Sequence, residues 1–404
     1  MVRPSLTLLA VAVLLALGLA WITLTWGGSG APLTAAPNQN AELMELTGTT
    51  ARLSGQTHLR TAVAYAQAVY AANQDPDRPG AVLLVRDDDP AAAIAATRLQ
   101  QVPVNAPMLF VTDGGTRVPD ATMDELLRLN PKGVMVDNNV QVYLAGKIPE
   151  SVQQQVEKAG FRVRRLFAEN AVALAEELDE FLAVLKSNHS EEILIAATQA
   201  IDYAFAGATW NAHHGSALAF VTPDGVPPET RRMLRRRAPS RAYLYLFAPP
   251  NVVSASVAAE LSRYGHIQRI PGTTPQEMAV RWAAYRDEGR RLGWWIGERA
   301  RRIGWGITEP GHNAILANPA DWREVVPTSV LSHLGKHAFL LLTNPDGTLP
   351  ASVRAYLQLL KPARTHPSQQ IFNFGWIAGQ GVPAATARQF SDLLRVAEPS
   401  APAP

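Results

Sequence analysis

Two histidines in the C-terminal third have a spacing that could support metal chemistry. His333 and His337 are four positions apart, and on a helix this spacing places both rings on one face, as two metal ligands require. His312 could provide a third ligand. However, no glutamate follows the first histidine as in the zinc-protease signature, Gly335 indicates a helix end, and Lys336 would repel a cation. We therefore predict no metal and no cofactor, and expect these histidines to form hydrogen bonds within the fold or with a ligand.

Two other polar clusters have structural interpretations. His213 and His214 are adjacent, so on a helix their rings would point apart and could not share a metal. Asp87, Asp88 and Asp89 follow an apolar run and precede a helical pattern, a position where ligands of open α/β sheets bind. A calcium or magnesium site is the functional alternative. We favour an acidic N-cap, because a carboxylate at a helix start accepts hydrogen bonds from free amides.

Catalytic motifs of common enzyme classes are absent from the sequence. No glycine-rich phosphate loop stands at a strand–helix turn, and no Gly-x-Ser-x-Gly motif occurs. The absence of cysteine excludes disulfides, thiol catalysis and cysteine metal sites. We therefore expect no catalysis.

Arginine-rich runs are the strongest candidates for binding. Arginine suits carboxylate and phosphate groups because its planar fork makes paired hydrogen bonds, and interleaved tryptophans could stack on sugars. The predicted polymer-contact residues are Arg231, Arg232, Arg235, Arg236, Arg237, Arg290, Arg291, Trp294 and Trp295. The alternative interpretation is a solvated, partly salt-bridged surface. Nucleic acid is not an expected partner, because the formal net charge is only +2.

The N-terminus indicates an exported protein. Residues 6–26 carry no charge and are long enough to cross a bilayer as a helix, with Arg3 before them and Trp21 and Trp26 near their end. Residues 1–26 are either a signal anchor or a signal peptide cleaved after Ala20. Residues 27–50 have the composition of a flexible tether. We expect a single-pass membrane protein with an extracytoplasmic domain, or a secreted surface protein if the signal is cleaved.

A repeated pattern organises the rest of the 404 residues. An apolar run ends in Thr112, then a polar turn and an apolar-proline pair lead into a helical pattern, and the same order recurs at Thr222 and Thr343. Apolar strands that alternate with helices indicate parallel sheets covered on both faces. The sequence thus predicts an α/β protein of three tandem Rossmann-like units, residues 51–163, 164–268 and 269–396, with a disordered tail at 397–404.

These repeats resemble the type 2 cell wall-binding repeat family. The resemblance rests on Arg52-Leu53-Ser54-Gly55, on residues 107–119 and on Tyr143-Leu144-Ala145-Gly146, with counterparts in the later units. The chain departs from the family pattern where a second glycine is expected, which here is Lys147, Pro249 or Gln380. The resemblance implies a pseudo-threefold assembly that binds an anionic cell-wall or cell-surface polymer noncovalently. The alternative is an extracytoplasmic enzyme or solute-binding protein with a histidine site in the third unit. The oligomeric state is not predicted.

Overall fold

The computed structural model describes residues 43–46, 48–237, 242–287, 289, 302–363, 368 and 370–397. Its strands are β1 (Leu43–Leu46), β2 (Thr50–Ser54), β3 (Val82–Arg86), β4 (Met108–Val111), β5 (Val142–Ala145), β6 (Val163–Leu166), β7 (Glu192–Ala197), β8 (Ala217–Val221), β9 (Ala242–Phe247), β10 (Gly265–Arg269), β11 (Asn313–Ala317), β12 (Phe339–Leu342) and β13 (Phe374–Ala378).

The helices alternate with these strands. They are α1 (His58–Val69), α2 (Pro90–Ala96), α3 (Asp120–Leu129), α4 (Glu150–Lys158), α5 (Ala171–Lys186), α6 (Phe205–His214), α7 (Pro228–Arg235), α8 (Ala255–Ser262), α9 (Pro275–Ala284), α10 (Trp322–Val325), α11 (Ala351–Leu359) and α12 (Ala384–Leu394), with 3-10 segments at Asp75–Asp77, Thr97–Gln100, Met135–Asp137, Ile201–Ala204 and Val326–Ser332.

The described strands form three sheets with one repeated order. The first sheet is β4-β3-β5-β6, the second is β8-β7-β9-β10, and the third is β12-β11-β13-β2 with β1 at its edge. All pairings are parallel except β1 with β2. The predicted α/β class with three parallel-sheet units is confirmed.

The N-terminal strand β2 lies in a different sheet from the one predicted. Sequence order placed it in the first unit, whereas its hydrogen-bonded neighbour is β13, with Ala51 opposite Trp376 and Leu53 opposite Ala378. In this position β2 corresponds to β6 and β10, which close the first and second sheets. The beginning of the domain therefore completes the sheet formed by its end.

The repeated arginine has a structural role in all three units. Arg52 in the middle of β2 donates to the carbonyls of Gly379 at 2.7 Å and Val382 at 2.8 Å. Arg165 donates to the carbonyl of Ile148, and Arg269 donates to that of Val253 at 2.9 Å. Each guanidinium thus binds the loop that follows the neighbouring strand, which explains why arginine recurs at this position.

The second unit shows how sheet residues divide between two packed faces. Leu194 and Ala196 point into a core shared with the other two sheets, and Ile193 and Ile195 point into a separate core. This alternation follows from the two-residue period of a strand, and burial on both faces explains the continuous apolar runs.

No helix among the described residues is long and apolar enough to span a bilayer. Residues 6–26, to which a membrane-spanning helix was assigned, lie outside the described part of the chain, as do most of the tether 27–50 and residues 398–404 of the tail.

Candidate functional site

Three equivalent connections, each made of the end of a helical segment and the loop after it, meet at one junction. They precede β4, β8 and β12. Gln101 of the first connection donates from its amide nitrogen to the carbonyl of His213 near the end of α6, in the second. His213 Nδ1 lies 3.2 Å from the carbonyl oxygen of Ser332 in the third, and His333 Nε2 lies 2.8 Å from Asn105 Oδ1 in the first. All three units therefore contribute to this site.

The third loop does not hold His333 and His337 on one helical face. The 3-10 segment ends at Ser332, His333 is extended, and His337 has a positive φ of 45°. The helix end expected from Gly335 therefore comes before His333. His333 instead contacts Asn105, while His337 Nδ1 lies 3.3 Å from His213 Nδ1. The described residues contain no group of three or more side chains that could hold a metal ion.

A cleft of about 440 Å³ opens beside this junction. The His213 ring stacks on Trp305 with centroids 4.8 Å apart and planes at 26°. His312, Lys336 and His337 also line the cleft. The ammonium of Lys336 lies 5.3 Å from the ring centroid of Trp376. The cleft thus combines flat aromatic rings with one cation, an arrangement suited to sugar rings that carry acidic groups.

Two half-buried histidines at this junction, His213 and His333, are neutral at pH 7. Burial, with the neighbouring His337 and His214, lowers the pKa of His213 to about 4. Burial, with His337, lowers the pKa of His333 to about 4. Burial likewise lowers the pKa of His312. Lys336 is the one lysine or arginine among the described residues that line the cleft.

The first arginine run is largely neutralised by carboxylates. Arg231 on α7 pairs with Glu260 at 2.9 Å. Arg232 and Arg236 both pair with Glu176 on α5, at 2.5 Å and 2.9 Å. These contacts agree with the salt-bridged alternative and leave little free charge for a polymer at those three arginines.

Two residues at the end of this run differ from the rest. Arg237 is 4% exposed and donates to both oxygens of Asp179, at 2.7 Å and 2.8 Å, so its assignment to the surface is wrong. Arg235 is exposed and makes no ion pair with another residue of the described ranges. Arg235 is therefore the arginine of this run that is available to a ligand.

The second arginine run lies mostly beyond the described residues. Arg290, Arg291, Trp294 and Trp295 are outside them. The described ends of this segment are paired, with Asp287 N donating to Ile303 O at 2.8 Å. Trp305, which lines the cleft, follows the second end by two positions.

The aspartates after β3 have structural partners. Asp89 accepts a hydrogen bond from Ala92 N at 3.0 Å and caps α2, Asp88 pairs with Arg86 at 2.8 Å, and Asp87 Oδ2 lies 3.2 Å from His58 Nε2. The N-cap interpretation is confirmed for Asp89.

Sequence analysis did not identify His213 as part of a site. It considered only the pair with His214, whose ring stacks on Trp210 instead of joining the cleft. A usable signal was that His213 and His333 both come shortly before equivalent strands, β8 and β12.

The backbone architecture is shared with known structures. The fold is similar to that of two clostridial cell wall proteins. Cwp8 from Clostridium difficile superposes with a TM-score of 0.66 at 16% sequence identity, over 87% of this chain and 52% of that one. Cwp6 from Clostridium difficile superposes with a TM-score of 0.65 at 16% identity, over 86% of this chain and 48% of that one.

This chain thus spans about half the length of either protein. The sequence matches no protein-family model and has no significant similarity to a curated protein. The type 2 cell wall-binding repeat assignment therefore remains a prediction from the repeated residues, while the fold itself is shown.

Proposed function

We propose that this chain is an extracytoplasmic surface protein that binds an anionic cell-wall or cell-surface polymer noncovalently and without catalysis. The observation that supports the proposal is the shared fold with Cwp8 and Cwp6 over nearly the whole described body. The repeated arginine and threonine patterns of the sequence support the same assignment, because each unit places them at equivalent positions.

The polymer site that fits this proposal is the cleft, with Arg290, Arg291, Trp294 and Trp295 as the further contacts expected from the sequence. Trp305 and His213 offer flat faces for sugar rings, and Lys336 offers a cation for acidic groups. Those four arginines and tryptophans lie outside the described residues, between Asp287 and Ile303 in the sequence. Arg235 is a separate contact on α7.

A pull-down with purified wall material tests this proposal. Wild type and the variants Lys336→Gln, Arg290→Gln/Arg291→Gln and Arg235→Gln are compared at low and high salt. The matched control is Lys158→Gln, which removes an exposed lysine at the end of α4. Wild-type retention should fall steeply with salt, because exposed charges are screened over about 10 Å at 0.1 M ionic strength. The first two variants should be retained less than the control.

Two results would count against the proposal. If wild type is not retained at low salt, polymer binding is wrong. If wild type is retained but Lys336→Gln and Arg290→Gln/Arg291→Gln bind as well as the Lys158→Gln control, binding takes place elsewhere on the surface.

The volume of the cleft favours a second candidate, a solute-binding protein. About 440 Å³ is within the range of small-molecule sites. Calorimetry with neutral monosaccharides separates the two candidates. Saturable binding that is lost in Trp305→Ala, without retention on wall material, would support solute binding.

A further inference from the structure

A second cavity, distinct from the cleft, lies between the first and second units. It encloses about 170 Å³. Its walls come from the 3-10 segment of the first unit, the C-terminal end of α5 and the loop after α6. The lining polar residues are Arg98, Lys186, Asn188, Ser190 and His214.

Arg98 is a buried cation with an incomplete set of partners. The residue is 3% exposed. Within the described residues its guanidinium makes one hydrogen bond, from Nη1 to Asp179 Oδ1 at 3.3 Å, and its Nε has no partner. Asp179 is already held by Arg237 through both carboxylate oxygens. The carboxylate of Asp179 therefore pairs with the guanidinium groups of both Arg98 and Arg237. Buried charges normally each need a partner of opposite charge.

Lys186 adds a second cation to the same cavity. It is half-buried at the end of α5, and no other residue in the described ranges forms an ion pair or hydrogen bond with it. Burial lowers its pKa, and nearby Arg98 lowers it further. Burial also lowers the pKa of Arg98 to about 10, against the opposing effect of Asp179. In both cases burial is the main cause, and a neighbouring arginine adds to it.

Further polar groups lie in and around this cavity. His189 Nδ1 lies 3.3 Å from Asp179 Oδ2 without forming a hydrogen bond, and Glu192 accepts one from Ser190 Oγ at 3.1 Å. Asp179 is thus the carboxylate that both Arg98 and Arg237 contact. The His214 ring uses Nδ1 toward Ser216 Oγ at 3.0 Å, which leaves its Nε2 available.

We propose that this cavity binds a small tetrahedral oxyanion of the phosphate or sulfate class. Arg98 lines the cavity with a guanidinium whose hydrogen bonding is incomplete, and Lys186 offers a point charge from another wall. Donors on separate walls suit four oxygens in a tetrahedron better than the two coplanar oxygens of a carboxylate. A volume of 170 Å³ exceeds that of several waters, at about 30 Å³ each, so the anion fits with remaining hydration. This site is independent of polymer binding in the cleft.

Titration calorimetry with inorganic phosphate tests the site directly. Parallel titrations with sulfate, methyl phosphate and acetate, at constant ionic strength, identify the anion class and distinguish free phosphate from a phosphate ester. The variant Lys186→Gln removes one cation whose side chain makes no ion pair with another described residue, so it should fold. Lys158→Gln is the matched control. Arg98→Gln is the second variant. Its Kd for phosphate is interpreted only if its thermal unfolding transition stays cooperative.

The wild type and Lys158→Gln should bind phosphate and sulfate saturably, with no comparable heat from acetate. Lys186→Gln should raise the Kd for phosphate at least tenfold. An absence of saturable binding in wild type, an unchanged Kd in Lys186→Gln, or equal binding of acetate would each overturn the proposal. Tighter binding of methyl phosphate than of inorganic phosphate would identify an ester as the source of the phosphate group. The reverse order would identify the free anion.

Discussion

The Nδ1 atoms of His213 and His337 lie 3.3 Å apart, although 124 positions separate the two residues in the chain. His213 Nδ1 also faces the carbonyl oxygen of Ser332 at 3.2 Å. A carbonyl can only accept, so His213 Nδ1 carries the hydrogen and His337 Nδ1 is the acceptor. The contact therefore joins the second unit to the third through two imidazole rings.

We expect the free energy of unfolding to fall as the pH decreases from about 6.5 toward 4. His213 and His333 titrate near pH 4 in the folded state, against an ordinary value of 6.5. In this window the unfolded chain binds more protons, so stability rises with pH and is lost on acidification. Urea unfolding at pH 6.5, 5.5 and 4.5 measures the trend.

His213→Gln should flatten this pH dependence, and the variant of an exposed histidine, His266→Gln, should keep it. A wild-type midpoint that does not change between pH 6.5 and 4.5 would contradict the assigned role of the buried histidines.

Arg237 and Arg235 should differ strongly in their effect on stability. Arg237→Gln removes the paired hydrogen bonds to buried Asp179, and breaking a buried ion pair costs about 3–5 kcal/mol. Arg235→Gln changes an exposed side chain and should stay within about 0.5 kcal/mol of wild type. Urea denaturation of both variants measures the difference. Equal stabilities would show that Arg237 is not required for the fold.

Strand β2 should be necessary for the third unit. A chain that starts at Gly55 lacks β2 and the carbonyl contacts of Arg52, so the edge of β13 and the apolar side of its sheet are exposed. We expect this fragment to aggregate or to lose its cooperative thermal transition. The control starts at Glu42 and keeps both β1 and β2. A soluble Gly55 fragment with the melting temperature of the control would refute the closure of the third sheet by β2.

The third unit should also be necessary for the first two. Deletion of residues 269–404 removes β11, β12 and β13 and exposes the apolar core that all three sheets share. We expect the remainder to aggregate or to be partly unfolded. Size-exclusion chromatography and calorimetry measure this, and a soluble fragment with a sharp transition would indicate independent units.

We predict that the domain is exported, because residues 6–26 are uncharged and Arg3 precedes them. Protease treatment of intact cells should degrade the body, detected with an antibody against residues 42–404. Protection in intact cells combined with cleavage after lysis would show that the body faces the cytoplasm.

Local features of the fold were predictable from the sequence. Strands buried on both faces need continuous apolar residues, so the runs ending at Val111, Val221 and Leu342 indicated parallel sheets. Asp89 was recognisable as a cap because an N-cap contact spans only three residues. Such patterns depend on neighbours close in sequence, and the sequence determines them directly.

The tertiary structure decided the features that depend on distant partners. The pairing of β2 with β13 depends on which sheet has an unpaired edge strand in the folded protein. The hydrophobic pattern of the sequence contains no information about that. The sequence alone indicates a surface position for Arg237. Only the fold places Asp179 of α5 within hydrogen-bonding distance of it. The contact between His213 and His337 exists because three equivalent loops converge, and only packing of the three units creates that junction.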